Sequence, residues 1–295
     1  MKTSRMQQFF RSEFFFHFRR DKGAVIGSII VFLFLLVASL GPLCVPQNPY
    51  DLSTLELSNA YKPPMWLSDG EALFPLGTDE QGRDMLSGIV YGTRISLFIG
   101  VAVMLLSCGI GTLVGLWSGY AGGRLDALLM RIVDVQLSFP GMLVALFIMS
   151  AFGRGIGNLV IALTLVGWVQ YARTVRSAVL VERGKEYVEA ARLIGLSPVP
   201  LVLRHVLPNV ATPLIVIATI HVGGIILTEA TLSYLGVGVP VTEPSLGMLV
   251  KNGYDVLFSG IWWVSVLPGC FIMLLVFGIN LLGDFLRDEL NPKLK

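Results

Sequence analysis

Six stretches of this chain run without a charged side chain: residues 23–50, 95–123, 135–153, 155–172, 205–228 and 256–283. Each reaches or exceeds the ~17–25 residues a helix needs to cross a hydrocarbon core. The pattern predicts an all-α membrane protein with six transmembrane helices. Two segments break the apolar rhythm. Residues 46–93 are rich in Pro, Asn, Asp, Ser and Gly, and residues 182–208 are charged and locally helical.

Composition agrees. Hydrophobic residues make up 54% of the 295 and charged residues only 14%, against roughly a quarter in a soluble domain. No soluble domain of this length could hide six such helices. The first run follows a basic stretch, as a signal peptide would. It is longer than an h-region and lacks a small-x-small site, so the expectation is an uncleaved first helix. Cys44, Cys108 and Cys270 are scattered, which argues against a disulfide framework or a thiolate metal site.

The distribution of charge sets orientation. With both termini cytoplasmic, 17 Lys and Arg residues fall inside and 5 outside, the bias that retained cationic loops produce. The expected organisation is a cytoplasmic amphipathic segment over 1–22, a first transmembrane helix over 23–45 and an extracytoplasmic segment over 46–93. A core of five further helices over 94–285 and a cytoplasmic tail over 286–295 complete it. In the first segment Phe10, Phe14 and Phe18 repeat at helical spacing among basic residues, which predicts a helix lying on membrane lipid.

Four features inside the core carry specific expectations. Gly111, Gly115 and Gly119 recur at spacing four, as in close helix pairs. Asp126, Arg131 and Asp134 predict a local ion pair. Trp168, Gln170, Tyr171, Arg173 and Arg176 read as an interface anchor, and Trp262 and Trp263 as an outer belt. Glu229 and His221 are the ionisable groups inside the fifth run. Glu229 either lines a translocation path with His221 or lies near the outer surface, ~27 Å along the helix from Ala211.

The segment over 182–208 is more particular. Residues 186–194 read as a short helix with acids early and Arg192 late. Gly195 is placed to end it with a left-handed residue. Ser197 and Pro198 are an N-cap and first-turn pair for a second helix, and Pro208 predicts the next break. Ala190 and Ala191 are small enough for a partner to approach.

Glu189-Ala190-Ala191, three residues to Gly195 and twelve more to Pro208 resemble the EAA loop of ABC-importer permeases. His205 stands where the general pattern has a branched apolar residue, a departure shared with the peptide and nickel branch. The run Gly77-Thr-Asp-Glu-Gln-Gly-Arg-Asp84, followed by Tyr91-Gly-Thr-Arg-Ile-Ser-Leu97, is similar to the same branch, as are 281–284 and 286–292. Read from the residues alone, 77–84 is an ordered turn with Asp and Gly supplying the bends.

The resemblance implies the type I importer permease fold, as the C-type subunit of a dipeptide, oligopeptide or nickel system in the bacterial inner membrane. It implies a coupling loop for a cytoplasmic ATPase, carried here by Tyr187, Glu189, Ala190, Ala191, Gly195, Leu196, Ser197, His205 and Pro208. Implied partners are a second, homologous permease, two ATPase subunits holding ATP and Mg, and an extracytoplasmic substrate-binding protein. Nucleic acid is not among them, and this chain itself is expected to hold no cofactor or metal.

Site chemistry is consistent with a driven subunit. The sequence has no Walker A phosphate loop, no His-Glu-x-x-His and no Gly-x-Ser-x-Gly. A self-powered transporter or channel would need ion-coupling groups in mid-membrane, and only Glu229 and His221 qualify. A membrane sensor or scaffold would keep the docking loop without a path. For a permease, short peptides are the expected cargo, with nickel chelates, glutathione-like peptides and haem as alternatives.

Overall fold

The computed structural model describes residues 13–49, 51, 53, 55–240, 242–243 and 245–290. Phe10 and the tail residues 291–295, which the sequence reading used, lie outside them. Ten α-helices carry the described chain. They are α1 Glu13–Arg20, α2 Lys22–Leu40, α3 Met85–Ala121, α4 Gly123–Leu137, α5 Gly141–Phe152, α6 Ile156–Glu182, α7 Glu186–Leu193, α8 Pro198–Tyr234, α9 Leu246–Tyr254 and α10 Trp263–Leu290.

Four helices are long and apolar enough to cross a membrane: α2 with its 3₁₀ extension to Leu43, α3, α8 and α10. The third predicted run is not one straight helix. Its chain turns by 82° between α4 and α5, where Pro140 has no N–H to continue α4. Only the two pieces together would make a fifth crossing. α6 is 27 residues long and becomes charged over its last third, at Arg173, Arg176 and Glu182.

The centre of the bundle is the α3–α6 pair. A β-carbon on Gly111 would sit 2.4 Å from the Tyr171 Cβ, one on Gly115 2.6 Å from the Ala172 carbonyl oxygen, and one on Gly119 2.8 Å from the Val179 Cβ. The spacing-four stripe is therefore a close-approach seam, which matters most in lipid, where packing rather than hydrophobicity joins helices. α8 and α10 close the bundle on one side. Ile226 of α8, Leu275 and Ile279 of α10, Phe34 of α2 and Leu97 of α3 form one buried cluster.

Polar contacts correct three sequence expectations. Asp126 and Asp134 do not pair with Arg131. Asp126 takes both Nε and Nη2 of Arg176 at 2.6 Å, and Asp134 takes Arg173 at 2.6 Å, so α4 is tied to α6 across the elbow. A bidentate guanidinium–carboxylate pair is the stronger kind. The anchor on α6 is internal in part, with Gln170 and Arg173 left exposed. Tyr171 is fully buried, and Trp168 donates to Gln136 at 3.0 Å. Phe14 and Phe18 meet Phe285 edge-on at 5.5 Å each, and His17 pairs with Glu289 at 2.9 Å. That face of α1 is thus covered by the end of α10 rather than turned wholly to lipid.

At the opposite end, Gly77–Asp84 is a buried clamp. Thr78 receives the Lys62 amide at 2.7 Å, donates to the Asn59 carbonyl at 2.5 Å and offers its own carbonyl to Trp263 Nε1 at 3.1 Å. Asp79 accepts the amides of Gln81 and Arg83, and Asp84 caps α3 by accepting the Ser87 amide at 2.8 Å. Trp263 is thereby buried within the chain and does not belt a membrane surface. The geometry matches the reading of 77–84 as an ordered turn.

Candidate functional site

The loop between α6 and α8 is built on a polar network at its base. Glu182, the last residue of α6, is buried and accepts from Lys185 at 2.7 Å and from the Tyr187 hydroxyl at 2.6 Å. The same hydroxyl accepts from Asn209 at 3.1 Å, and Asn209 also donates to the His205 carbonyl at 2.7 Å. The end of α6, the start of α7 and the first turns of α8 are therefore locked at one point. Burial, and then the Glu182 carboxylate, push the Tyr187 phenol up to about 12, so it stays a neutral donor.

Above that base α7 is amphipathic in an unusual sense. Val188 and Ala191 turn inward against Leu116, Val175, Val179, Leu201, Val202 and Val206. Burying a side chain the size of valine stabilises by about 1.5–3 kcal/mol. Arg192 lies 4.9 Å over the Tyr120 ring, and Arg183 donates to the Gly119 carbonyl at 2.8 Å. Both arginines fasten the loop to the end of α3.

The exit from α7 matches the sequence pattern closely. Gly195 has φ +83°, its amide bonds the Arg192 carbonyl at 3.0 Å, and the Leu196 amide reaches the Ala191 carbonyl at 3.1 Å. These are the two bonds of a Schellman turn. Ser197 has the extended backbone of an N-cap, but its side chain makes no capping bond. Leu193 and Ile194 are left 88% and 78% exposed at the tip.

Several predicted residues land differently. Ala190 faces outward but Ala191 is buried in the chain's own core, so the two do not share one small docking face. Pro208 is not a break. α8 continues through it because Val202–Val206 forms a π-turn, with the Leu207 amide reaching back five residues to Val202. The wider turn gives the proline ring room. His205 joins the network through its carbonyl, and its ring has no polar partner among the described residues. Leu193 and Ile194 were missed. Their signal was present in the sequence: two adjacent large apolar residues directly before a helix-ending glycine.

Glu229 and His221 part company. Glu229 is fully buried between α3 and α8, where Ser96 and Ser233 donate to it at 2.9 and 2.8 Å. His221 sits 3.1 Å from the Tyr171 hydroxyl and borders a cavity of about 650 Å³ beside Gln170, Arg173, Thr174 and Ser177 of α6.

Long apolar helices carrying one rigidly tied polar loop define a multi-pass helical membrane protein. A family described as binding-protein-dependent transport system inner membrane component matches residues 111–295, and the N-terminal TM domain of oligopeptide transport permease C matches 5–64. The chain belongs to this family of inner-membrane transport components. It is 38% identical to the dipeptide transport system permease protein DppC of Haemophilus influenzae, covering 96% of this chain and 95% of that one. To the di/tripeptide permease DppC of Pseudomonas aeruginosa it is 41% identical, over 96% and 92%, and to the oligopeptide permease OppC of Bacillus subtilis 39%, over 94% and 88%. Among solved structures, a chain of the inward-facing MetNI methionine ABC transporter superposes with TM-score 0.56 at 22% identity, covering 70% of this chain and 98% of that one. That likeness concerns the fold.

Proposed function

We propose that this chain is one permease subunit of an ATP-driven importer that moves short peptides across the bacterial inner membrane. The observation that carries the reading is near-full-length similarity, at 38–41% identity, to permeases named for dipeptide, di/tripeptide and oligopeptide transport. Its partners are a second, homologous permease, two ATPases that bind ATP and Mg, and an extracytoplasmic binding protein that delivers cargo.

The proposed topology has six crossings, with α4–α5 and α6 as the third and fourth, and both termini cytoplasmic. Two placements support it. His17 meets Glu289, bringing the first and last described helices together. Arg287 and Leu290 share a cavity with Glu182, Lys185 and Asn209, so those ends lie beside the 182–208 loop.

That loop is the proposed lever. Its base is tied to α3, α6 and α8, and its tip offers Leu193, Ile194, Glu189 and Ala190 to an ATPase cleft. ATP binding drives the change only so far as the ATPase binds the two conformations unequally. His221, at a polar-sided cavity, is the better path candidate. Glu229 is proposed as an internal tie between α3 and α8.

The test is reconstitution of the complete complex in liposomes with a labelled dipeptide. ATP-dependent uptake is expected, and Gly195→Asp should retain ATP hydrolysis while losing uptake. Uptake by this chain alone without ATP would overturn the reading in favour of a self-powered carrier. ATP-driven uptake of a nickel chelate or haem, but not of peptide, would change the cargo and keep the mechanism.

A further inference from the structure

The Tyr91–Leu97 motif contains a cation that nothing above employs. Arg94 is exposed on α3, and no carboxylate pairs with it among the described residues. It stands at the mouth of a groove of about 620 Å³ between α2 and α3. Leu35 and Ala38 line one wall of the groove, and Leu97, Phe98, Val101 and Leu105 the other. Four of these remain open to the surroundings: Leu35 51%, Phe98 60%, Val101 39% and Leu105 60%. Ser39, the remaining polar group beside Arg94, donates its hydroxyl to the Leu35 carbonyl at 2.7 Å and so does not compete for the guanidinium.

Depth makes the arrangement specific. α3 has 37 residues and is ~55 Å long, against ~30 Å of hydrocarbon, so about 12 Å projects at each end if the helix is centred. Arg94 lies ~13 Å from the Met85 end, at the boundary between hydrocarbon and headgroups. From there the apolar lining residues descend one to three turns into the hydrocarbon. α2 runs the opposite way, which puts Ser39 level with Arg94 and Leu35 level with the deeper residues.

We infer that this groove is a phospholipid site: Arg94 holds the phosphodiester of a lipid whose acyl chain lies along Leu97, Phe98, Val101 and Leu105. The positive group meets a negative one at the depth where lipid phosphates sit, and guanidinium suits phosphate because it presents a planar fork of donors. An unpaired guanidinium at that depth is costly unless it reaches headgroups, and the lipid supplies its counter-charge. The occupant is a lipid of the leaflet on the Thr78 side, bound between α2 and the core.

The experiment uses the assembled complex in proteoliposomes containing phosphatidylglycerol with a photoactivatable diazirine in the upper half of one acyl chain. Cross-links are mapped by peptide mass spectrometry. Expected are adducts within residues 97–105 and 35–39, reduced about fivefold in Arg94→Gln, the loss of one cation's attraction to an anionic headgroup. Arg94→Lys should retain most of the signal, and Val101→Trp, which fills the groove, should abolish it with Arg94 intact. A galactolipid carrying the same diazirine chain but no phosphate should label wild type no better than phosphatidylglycerol labels Arg94→Gln. Equal labelling of Arg94→Gln and wild type overturns the phosphate contact. Absence of adducts in wild type overturns the site and leaves the groove to a protein partner.

Discussion

The two motif-bearing ends of this molecule are built in opposite ways. At the Thr78 end, Thr78, Asp79, Arg83 and Asp84 are all at most 5% exposed, and Thr78, Asp79 and Asp84 are bonded to Lys62, Asn59, Trp263, Gln81, Arg83 and Ser87. At the loop end the polar network lies at the base, and the tip exposes Leu193 and Ile194. A motif turned inward and bonded to its own surroundings is a rigid joint, even with Arg83 Nε and Asp84 Oδ1 left without a partner among the described residues. One that fixes its base and bares an apolar tip is arranged for contact with something else. Both ends look alike in sequence, since each is a polar, glycine-punctuated segment between apolar runs.

The largest expected effect comes from a charge placed inside the core beneath α7. Val188→Asp buries an unpaired carboxylate at a fully buried position, costing more than about 3 kcal/mol. Thermal unfolding of the purified complex should show it as a clear drop. Unchanged unfolding would mean that α7 is not seated as described.

Next comes a matched pair of glycines. Gly77 and Gly195 have nearly equal φ, +81° and +83°. A β-carbon on Gly77 would meet the Lys62 carbonyl at 2.7 Å and Trp263 Nε1 at 2.8 Å, whereas at Gly195 nothing lies within 4 Å. Gly77→Ala should therefore cost about 3 kcal/mol from strain and clash together, and Gly195→Ala only ~1 kcal/mol from strain. Equal losses would erase the contrast between the clamp and the 182–208 loop.

Charging the exposed tip should separate stability from work. Leu193→Asp with Ile194→Asp is expected to leave unfolding within ~0.5 kcal/mol of wild type. Uptake should fall about tenfold or more, equivalent to ~1.4 kcal/mol of coupling. ATP hydrolysis no longer stimulated by loaded binding protein would accompany it. Wild-type uptake would remove the tip from the docking surface.

The smallest effects concern the base. Tyr187→Phe removes one donor to Glu182 and should cost about 1 kcal/mol. The pH dependence has the same origin. The phenol titrates near 12 in the folded chain against 10.0 unperturbed. Its contribution is thus complete below pH 10 and fades as pH rises through about 12. Tyr187 is 38% exposed, so water weakens the effect. Limited proteolysis of residues 182–209 from about pH 9 upward should show cleavage rising later in wild type than the loss seen in Tyr187→Phe at every pH. An identical, flat profile in both would remove the phenol from the network.

Local chemistry made much of this legible in advance. Apolar runs longer than a bilayer is thick marked the long helices, because each such residue carries its transfer free energy wherever it packs. The Gly195 turn and the Gly111–Gly119 seam follow from absent side chains, and spacing reports them directly. What sequence could not supply was the choice among equivalent partners. Arg131 and Arg176 are both arginines within reach of an aspartate in principle, and only the approach of α4 to α6 selects Arg176. Ala190 and Ala191 are chemically identical, and only the seating of α7 sends one inward. Pro208 breaks helices by rule, and only a π-turn before it lets α8 pass. The sequence alone determined where the long apolar helices α2, α3, α8 and α10 lie, since apolarity and length reside in single residues and their spacing. The tertiary structure decided which polar groups answer one another and which surfaces stay bare, because pairing and exposure are properties of helices brought together and belong to no one segment.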